Sequence, residues 1–334
     1  VRAYPQIDAA TCLPLKNVDG MHLAIAARSY QKFQQTQELP MHVKTLAVSL
    51  ALLGACASAC AEDAAPASPF TGHIDLVSRY YLRGNTTTYG NFKPGPGNAG
   101  ADAPESDKPA LQWGADYVHP SGFYAGYFGS QINYSYKRLG QSYDDRAIVS
   151  GFQEDKSIEN DLYGGYNGKL GDFGYTVGLT GYVYINGKYA DALETKLGVS
   201  YGDFGLTAQT LLNDVVWGNK GDTYFALNYT HALPYKINFT GSLGYYVYKK
   251  ESKFLGTSDT KSGASCGAGA AFNINGCFAG NGPIASGFRH LILGFTQPIF
   301  DTGLTWGLQY IVGGKNRFDV KQDNKVLASL SYGF

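Results

Sequence analysis

The last ten residues, KVLASLSYGF (325–334), alternate strictly. Val326, Ala328, Leu330, Tyr332 and Phe334 fall on one parity, with Leu327, Ser329, Ser331 and Gly333 on the other. Period two is the strand signature, because successive side chains point to opposite faces of a sheet. A strand that runs apolar on one side to its final residue needs an apolar medium there, either a protein core or lipid. The alternation recurs along the chain and predicts twelve strands, at 70–83, 110–118, 123–135, 158–168, 173–186, 192–201, 204–212, 223–232, 237–249, 288–297, 303–313 and 325–334. In one of them Leu304, Trp306, Leu308, Tyr310 and Val312 oppose Thr305, Gly307 and Gln309.

The connections alternate as well. HPSG (119–122), LGD (170–172), GD (202–203), ALPYK (232–236) and FD (300–301) are short turns. Between them lie longer loops at 84–109, 136–157, 187–191, 213–222, 250–287 and 314–324. Short turns at one end and long loops at the other are the plan of an outer-membrane barrel, with the turns periplasmic. Strands of about ten residues have the length that a tilted transmembrane strand needs. A soluble sandwich would bury one face of every strand in a shared core. It leaves the tyrosines and phenylalanines near the strand ends unexplained, whereas a barrel uses them as girdles at the lipid boundary. The fold expected is all-β: a single transmembrane antiparallel barrel of twelve strands.

Composition agrees. The chain carries 43 Gly, 26 Tyr and 18 Phe among 334 residues, with 2 Met and 16% charged side chains, which suits pleated, crowded sheet surfaces. Lys plus Arg and Asp plus Glu are balanced at 27 each, against the basic excess of a nucleic-acid binder. A mean hydropathy of −0.20 excludes a polytopic helical membrane protein but not a barrel, whose strands are half apolar.

One stretch reads differently. MHVKTLAVSLALLGACASACAED from Met41 has a short basic start at His42 and Lys44, an apolar run from Leu46 to Ala57, and small residues before a charge. That is a secretory signal peptide over 41–61, with Ala59-Cys60-Ala61 as the cleavage site and a barrel domain over 62–334. The rival reading makes Cys56 the acylated residue of a lipoprotein. Residues 1–40 precede this start and read as an over-extended gene start, outside the mature protein. The mature chain then holds 22 basic and 24 acidic side chains, a net charge of −2. Cys266 and Cys277 remain in it, and in an exported protein such a pair reads as a loop-closing disulfide. No His or acidic residue lies between them to complete a metal site.

Short motifs dissolve on inspection. Gly263-Ala264-Ser265-Cys266-Gly267 spells G-x-S-x-G, but in a Gly/Ser-rich loop, without the strand–turn–helix setting of a nucleophile elbow. Asp172-Phe173-Gly174 and Asp203-Phe204-Gly205 spell D-F-G without the other kinase segments, and both open strands after turns. The six histidines form no zinc-binding helix pattern. Neither a catalytic residue nor a cofactor is expected.

What remains is the inward parity. It collects His73, Asp75, Arg79 and Arg83 on the first strand, Gln112 and Asp116 on the second, and Glu159 and Asp161 on the fourth. Glu194 and Lys196 follow on the sixth, His290 on the tenth and Lys325 on the last. Charges on the lipid face are costly, so their concentration inside is expected. Arg79 and Arg83 should stand at the height of Glu159, Asp161 and Glu194, a quarter turn or more away. That would give a transverse field across a constriction. The competing arrangement pairs these charges directly and fills the lumen, and twelve strands is the ambiguous size. Glycines at 114, 129, 165, 178, 198, 244, 294 and 307 are read as inward and favour an open lumen. KPGPGNAGADAPESDKP (93–109) is expected to lie over the mouth.

VSRYYLRG (77–84), PALQWGADYVHPSGFYAGYFGSQINY (109–134), DLYGGYNGKLGDFGYTVGLTGYVY (161–184) and LETKLGVSYGDFGL (193–206) resemble the TorF-type porin family of proteobacterial outer-membrane barrels. The likeness implies a barrel without catalytic residues or an established substrate. Arg79 stands where the family pattern has Asp, so no lumen chemistry transfers. A terminal Phe334 after Leu330 and Tyr332 resembles the assembly signal of such proteins. The sequence thus points to a passive channel for small hydrophilic solutes or ions. Its partners would be outer-membrane lipid and the assembly machinery, with no nucleic acid. The alternatives are a sealed barrel with a structural or surface-binding role and, less supported, a hydrolase.

Overall fold

The computed structural model describes residues 68–85, 108–132, 135–145, 157–258, 263, 284–317, 319 and 321–334. The segments read as an over-extended start (1–40) and a signal peptide (41–61), and the Cys266/Cys277 pair, lie outside them. So do Ser265 and most of the 93–109 loop. Twelve strands form: β1 Phe70–Val77, β2 Ala110–Val118, β3 Phe123–Ile132, β4 Ser157–Leu170, β5 Phe173–Ile185, β6 Ala192–Tyr201, β7 Phe204–Leu211, β8 Thr223–Leu233, β9 Ile237–Val247, β10 Ser286–Pro298, β11 Leu304–Gly313 and β12 Lys325–Gly333. Each pairs antiparallel with its sequence neighbours, and β1 pairs with β12, so the sheet is a closed barrel. One helix, α1 (Lys137–Asp144), lies in the connection from β3 to β4. No helix among the described residues is long and apolar enough to cross a membrane.

The seam is made by the two ends of the alternating pattern. His73 faces Gly333 and Val77 faces Ser329, and the Gly72 and Phe334 backbones exchange hydrogen bonds of 2.8 and 2.9 Å. Gly72 is what lets the terminal ring lie flat there, since a Cβ on it would sit 2.6 Å from the Phe334 ring.

The exterior is apolar and exposed. Leu162, Val177, Leu197, Val199, Leu227, Leu308 and Val326 are each 45–59% accessible, on strands from all round the ring. Aromatic rings pair across neighbouring strands at the turn end: Phe70 with Tyr117, Phe123 with Tyr166, Phe173 with Tyr201, and Phe204 with Tyr229, at centroid distances of 4.7–5.1 Å. A wide apolar band bordered by such rings is the surface a bilayer requires.

Two expectations need correction. β1 stops at Val77, six residues before the predicted end, because Ser78 closes the ladder. Its N–H donates to the Ala328 carbonyl (2.8 Å), while its Oγ, not its backbone, accepts the Ala328 N–H (3.0 Å). The chain then leaves the wall, so Arg79 and Arg83 are not strand residues. Gly129 points outward, since it pairs with Trp113, whose indole would lie 2.4 Å from an added Cβ.

The lipid-like exterior predicts an asymmetry. Leu308→Arg, mid-strand on the outer face of β11, should cost about 2–4 kcal/mol on refolding into vesicles. Ser329→Arg, on the inner face of β12, should cost far less. Equal losses in a urea titration would count against a lipid-facing exterior.

Candidate functional site

The loop end of the barrel is filled. Ile132, Tyr136, Tyr182, Tyr184, Leu211, Val215, Trp217, Phe254 and Leu255 form one buried apolar cluster. It joins inward side chains of β3, β5 and β7 to the connections above them. The connections are also tied by polar bonds. Asp222 accepts from the backbone N–H groups of Asn219 (2.7 Å) and Lys249 (2.8 Å) and is in ionic contact with the buried Arg317 guanidinium. Outside this core, Asp144 at the end of α1 pairs with the exposed Lys188, and that hydrogen bond raises the lysine's pKa above its ordinary value.

Beneath the cluster, residues 78–85 cross the lumen as a strap. The sequence supports a chain reversal: Leu82–Gly84 makes a tight turn with Arg83 and Gly84 at φ 50° and 65°, closed by a 3.0 Å bond from the Asn85 N–H to the Leu82 carbonyl. Gly84 also needs the space, because a Cβ would lie 2.6 Å from the Cβ of His290.

Arg83 is the strap's anchor. Its guanidinium forks onto Glu194 of β6, Nη1 to Oε1 at 3.0 Å and Nη2 to Oε2 at 2.5 Å. It also donates to the hydroxyls of Tyr246 (2.6 Å) and Tyr182 (3.2 Å) and lies 4.6 Å over the Tyr224 ring. Tyr182 in turn donates to Glu194 at 2.9 Å. From the far wall, Arg289 Nε donates to the Arg83 carbonyl at 3.3 Å. Tyr80 fixes the near end by donating to Glu159 of β4 at 2.6 Å. β4 and β10 stand six strands apart in a ring of twelve, so the strap spans opposite walls.

Below the strap a cavity of about 490 Å³ runs down to Pro298–Leu304 at the turn end, where Phe300 is 87% exposed. Of the inward side chains singled out from the sequence, Asp75, Arg79, Arg83 and Lys196 line this cavity, as does Gln112. Glu159, Asp161, Glu194 and His290 point inward but line no part of it, and all four are at most 1% exposed. Asp116 accepts from Tyr163 at 2.6 Å, and Asp75 bonds the His73 ring at 2.6 Å. Lys325 also points inward, with Asp323 at 3.6 Å. The separated basic and acidic arcs do not form: Arg83 touches Glu194 because the chain leaves the wall at Ser78.

Sequence reading passed over Tyr80, which holds the near end of the strap, and Tyr182, Tyr224 and Tyr246, which position the arginine. Inward parity was the available signal for the last three. Arg289 was hidden by a bulge: Phe288 pairs with Tyr245 and His290 with Gly244, so Arg289 and His290 both turn inward.

The buried carboxyl groups are not equally provided for. Asp161 is fully buried, and among the described residues neither of its oxygens has a hydrogen-bond partner. Arg83→Ala strands Glu194 without its counter-charge and should cost about 3–5 kcal/mol. Asp161→Leu removes two buried carboxyl oxygens that have no hydrogen-bond partner among the described residues and should gain about 1–3 kcal/mol. The temperature of the heat-induced gel-mobility shift should therefore fall for the first and rise for the second. Shifts of the same sign would contradict this assignment.

A family model for bacterial proteins of unknown function matches residues 100–316. A search of curated proteins found no relative by sequence. Among solved structures, outer membrane phospholipase A from Escherichia coli is 12% identical, with 78% of this chain and 90% of that one covered and a TM-score of 0.33. Salmonella typhi OmpF in complex with daunomycin is 11% identical, with 79% and 97% covered and a TM-score of 0.34. OmpT of Vibrio cholerae, an outer membrane protein in trimer form, is 10% identical, with 79% and 98% covered and a TM-score of 0.28.

Proposed function

The chain belongs to the Gcw_chp family of bacterial proteins of unknown function, and we propose that it is an outer-membrane channel for small hydrophilic solutes, held closed by the strap. The apolar exterior supports a barrel embedded in lipid, and on this reading the turn end is periplasmic and the loop end outside. The sequence resemblance to TorF-type porins supports the same reading and names no solute. Lipid and, through the Leu330–Phe334 end, the assembly machinery are the partners that the reading requires. It involves no catalytic group, cofactor or nucleic acid.

One observation carries the proposal: the lumen beneath the loop-end core is blocked by a segment outside the sheet. No residue of 79–85 belongs to a strand, and among the described residues Tyr80 and Arg83 tie the segment to the walls by side-chain bonds, with Arg289 holding the Arg83 carbonyl. The wall closes without them, because β2 and β12 both pair with β1 below the strap. Displacing 79–85 would therefore free the upper end of the cavity without opening the barrel wall, and conduction requires the loop-end cluster around Ile132, Tyr136, Trp217 and Leu255 to part with it. Sealed-lumen proteins also fill their interiors, and conduction separates the two readings.

In planar bilayers the mature protein from Glu62 should give rare, small current steps. Arg83→Ala should raise open probability at least tenfold by releasing the strap from Glu194. Silence of both proteins, each shown to be folded by heat-dependent mobility, would establish a sealed lumen instead. In the open variant Arg79→Gln should move the reversal potential in a salt gradient toward cation preference, because it removes a positive charge from the cavity wall.

A further inference from the structure

The cavity beneath the strap has a chemistry of its own. Its roof is aromatic and aliphatic: Tyr81, Leu82, Phe128, Tyr182 and Tyr224 line the upper part. The walls below carry amides and hydroxyls, with Gln209 from β7, Thr296 from β10, Gln309 from β11 and Ser329 from β12, and the charged side chains of Asp75, Arg79, Arg83, Lys196 and Asp301 also reach the cavity. Thr296 is 8% exposed, and its Oγ1 has no hydrogen-bond partner among the described residues. Two of the charges that reach the cavity are engaged elsewhere, Arg83 by Glu194 and Asp75 by His73. The volume of about 490 Å³ falls within the range of sites that enclose one small molecule.

We propose that this cavity binds a neutral, polyhydroxylated ligand of mono- or disaccharide size, entering from the turn end. Amides and hydroxyls offer both donors and acceptors, which suits a ligand whose groups are themselves hydroxyls. An apolar sugar face lies naturally against tyrosine and phenylalanine rings, which combine a wide apolar surface with a polar edge. A ligand with a single formal charge meets lining side chains of both signs, Arg79 and Lys196 against Asp301, so it finds no uniform field to replace the hydration it loses on entry. The proposal rests on the channel reading and gives it a solute class, with the cavity as the waiting position below the closed strap.

The test is calorimetric titration of the folded mature protein with maltose and, as the charged counterpart, maltobionate. Maltose should bind saturably and at least tenfold more tightly than maltobionate. Gln309→Leu and Gln209→Leu should each weaken maltose binding tenfold or more, in protein whose heat-dependent mobility matches the wild type. Absence of saturable binding, a preference for maltobionate, or unchanged affinity in both glutamine variants would overturn the assignment. The outcome is separable from that of the channel. Maltose binding with a silent Arg83→Ala variant keeps the sugar site and removes the channel. Conduction by that variant without maltose binding or block keeps the channel and removes the sugar site.

Discussion

Everything inside this barrel depends on the pairing between its first and last strands. A sheet that pairs its last strand with its first has no edge, so each wall strand is satisfied on both sides and none needs covering. Closure also fixes which residues can meet across the interior. β4 and β10 become opposite walls only because β1 and β12 are joined. A segment of eight residues, 78–85, is then long enough to reach from one to the other. The departure point sits on the seam itself, where Ser78 offers its hydroxyl to the Ala328 N–H in place of a backbone partner. Wall closure and lumen blockage are thus set at one residue.

The strap is held differently from the wall. Strand pairing is backbone-made and tolerant of side-chain change, whereas the strap hangs on one forked ion pair, a few tyrosine hydroxyls and a carbonyl. Burying a charge costs several kcal/mol per ion, so the Arg83–Glu194 pair contributes little net stability while strongly fixing position. The pair therefore sets where the strap lies, and withdrawing the arginine alone would strand the buried Glu194. Arginine is well fitted to this placement, since its planar fork binds both carboxylate oxygens and stacks on an aromatic face at once. Tyr224 supplies that face.

Much of the wall was legible, because period two survives wherever lipid or lumen selects side chains by face. β5, β6 and β11 were read to within about a residue at each end, and parity correctly placed Asp75, Glu159, Asp161, Glu194 and Lys196 inside. It failed where the backbone departs from the pleat. LVSRYYLRG keeps alternating through Arg83, so nothing in its periodicity separates strand from strap, and Gly84 was the one local mark of a reversal. The bulge at Arg289 adds a residue and flips parity, which no counting rule detects without the partner strand. Contacts such as Tyr80 with Glu159, 79 residues apart in sequence, follow from the closed topology and from nothing local.

The inward glycines show why the openness of the lumen could not be read by counting small residues. A glycine leaves room, but the sheet decides who takes it. An added Cβ at Gly178 would meet the Tyr124 hydroxyl at 2.3 Å, at Gly244 the His290 ring at 2.3 Å, and at Gly114 the His73 ring at 2.3 Å. Each is a socket for a larger side chain from a neighbouring strand. Space given up on one strand is taken by a tyrosine or histidine from another, and one of those rings, His290, lies against Gly84 of the strap. Glycine beside an inward aromatic therefore marks a filled interior as readily as a pore. What sets the remaining cavity is where the sockets stop. On β7, β10, β11 and β12 the inward residues below the strap are Thr207, Gln209, Thr296, Thr305, Gln309, Ser329 and Ser331, too short to cross the ring, and the lumen opens on that side for that reason.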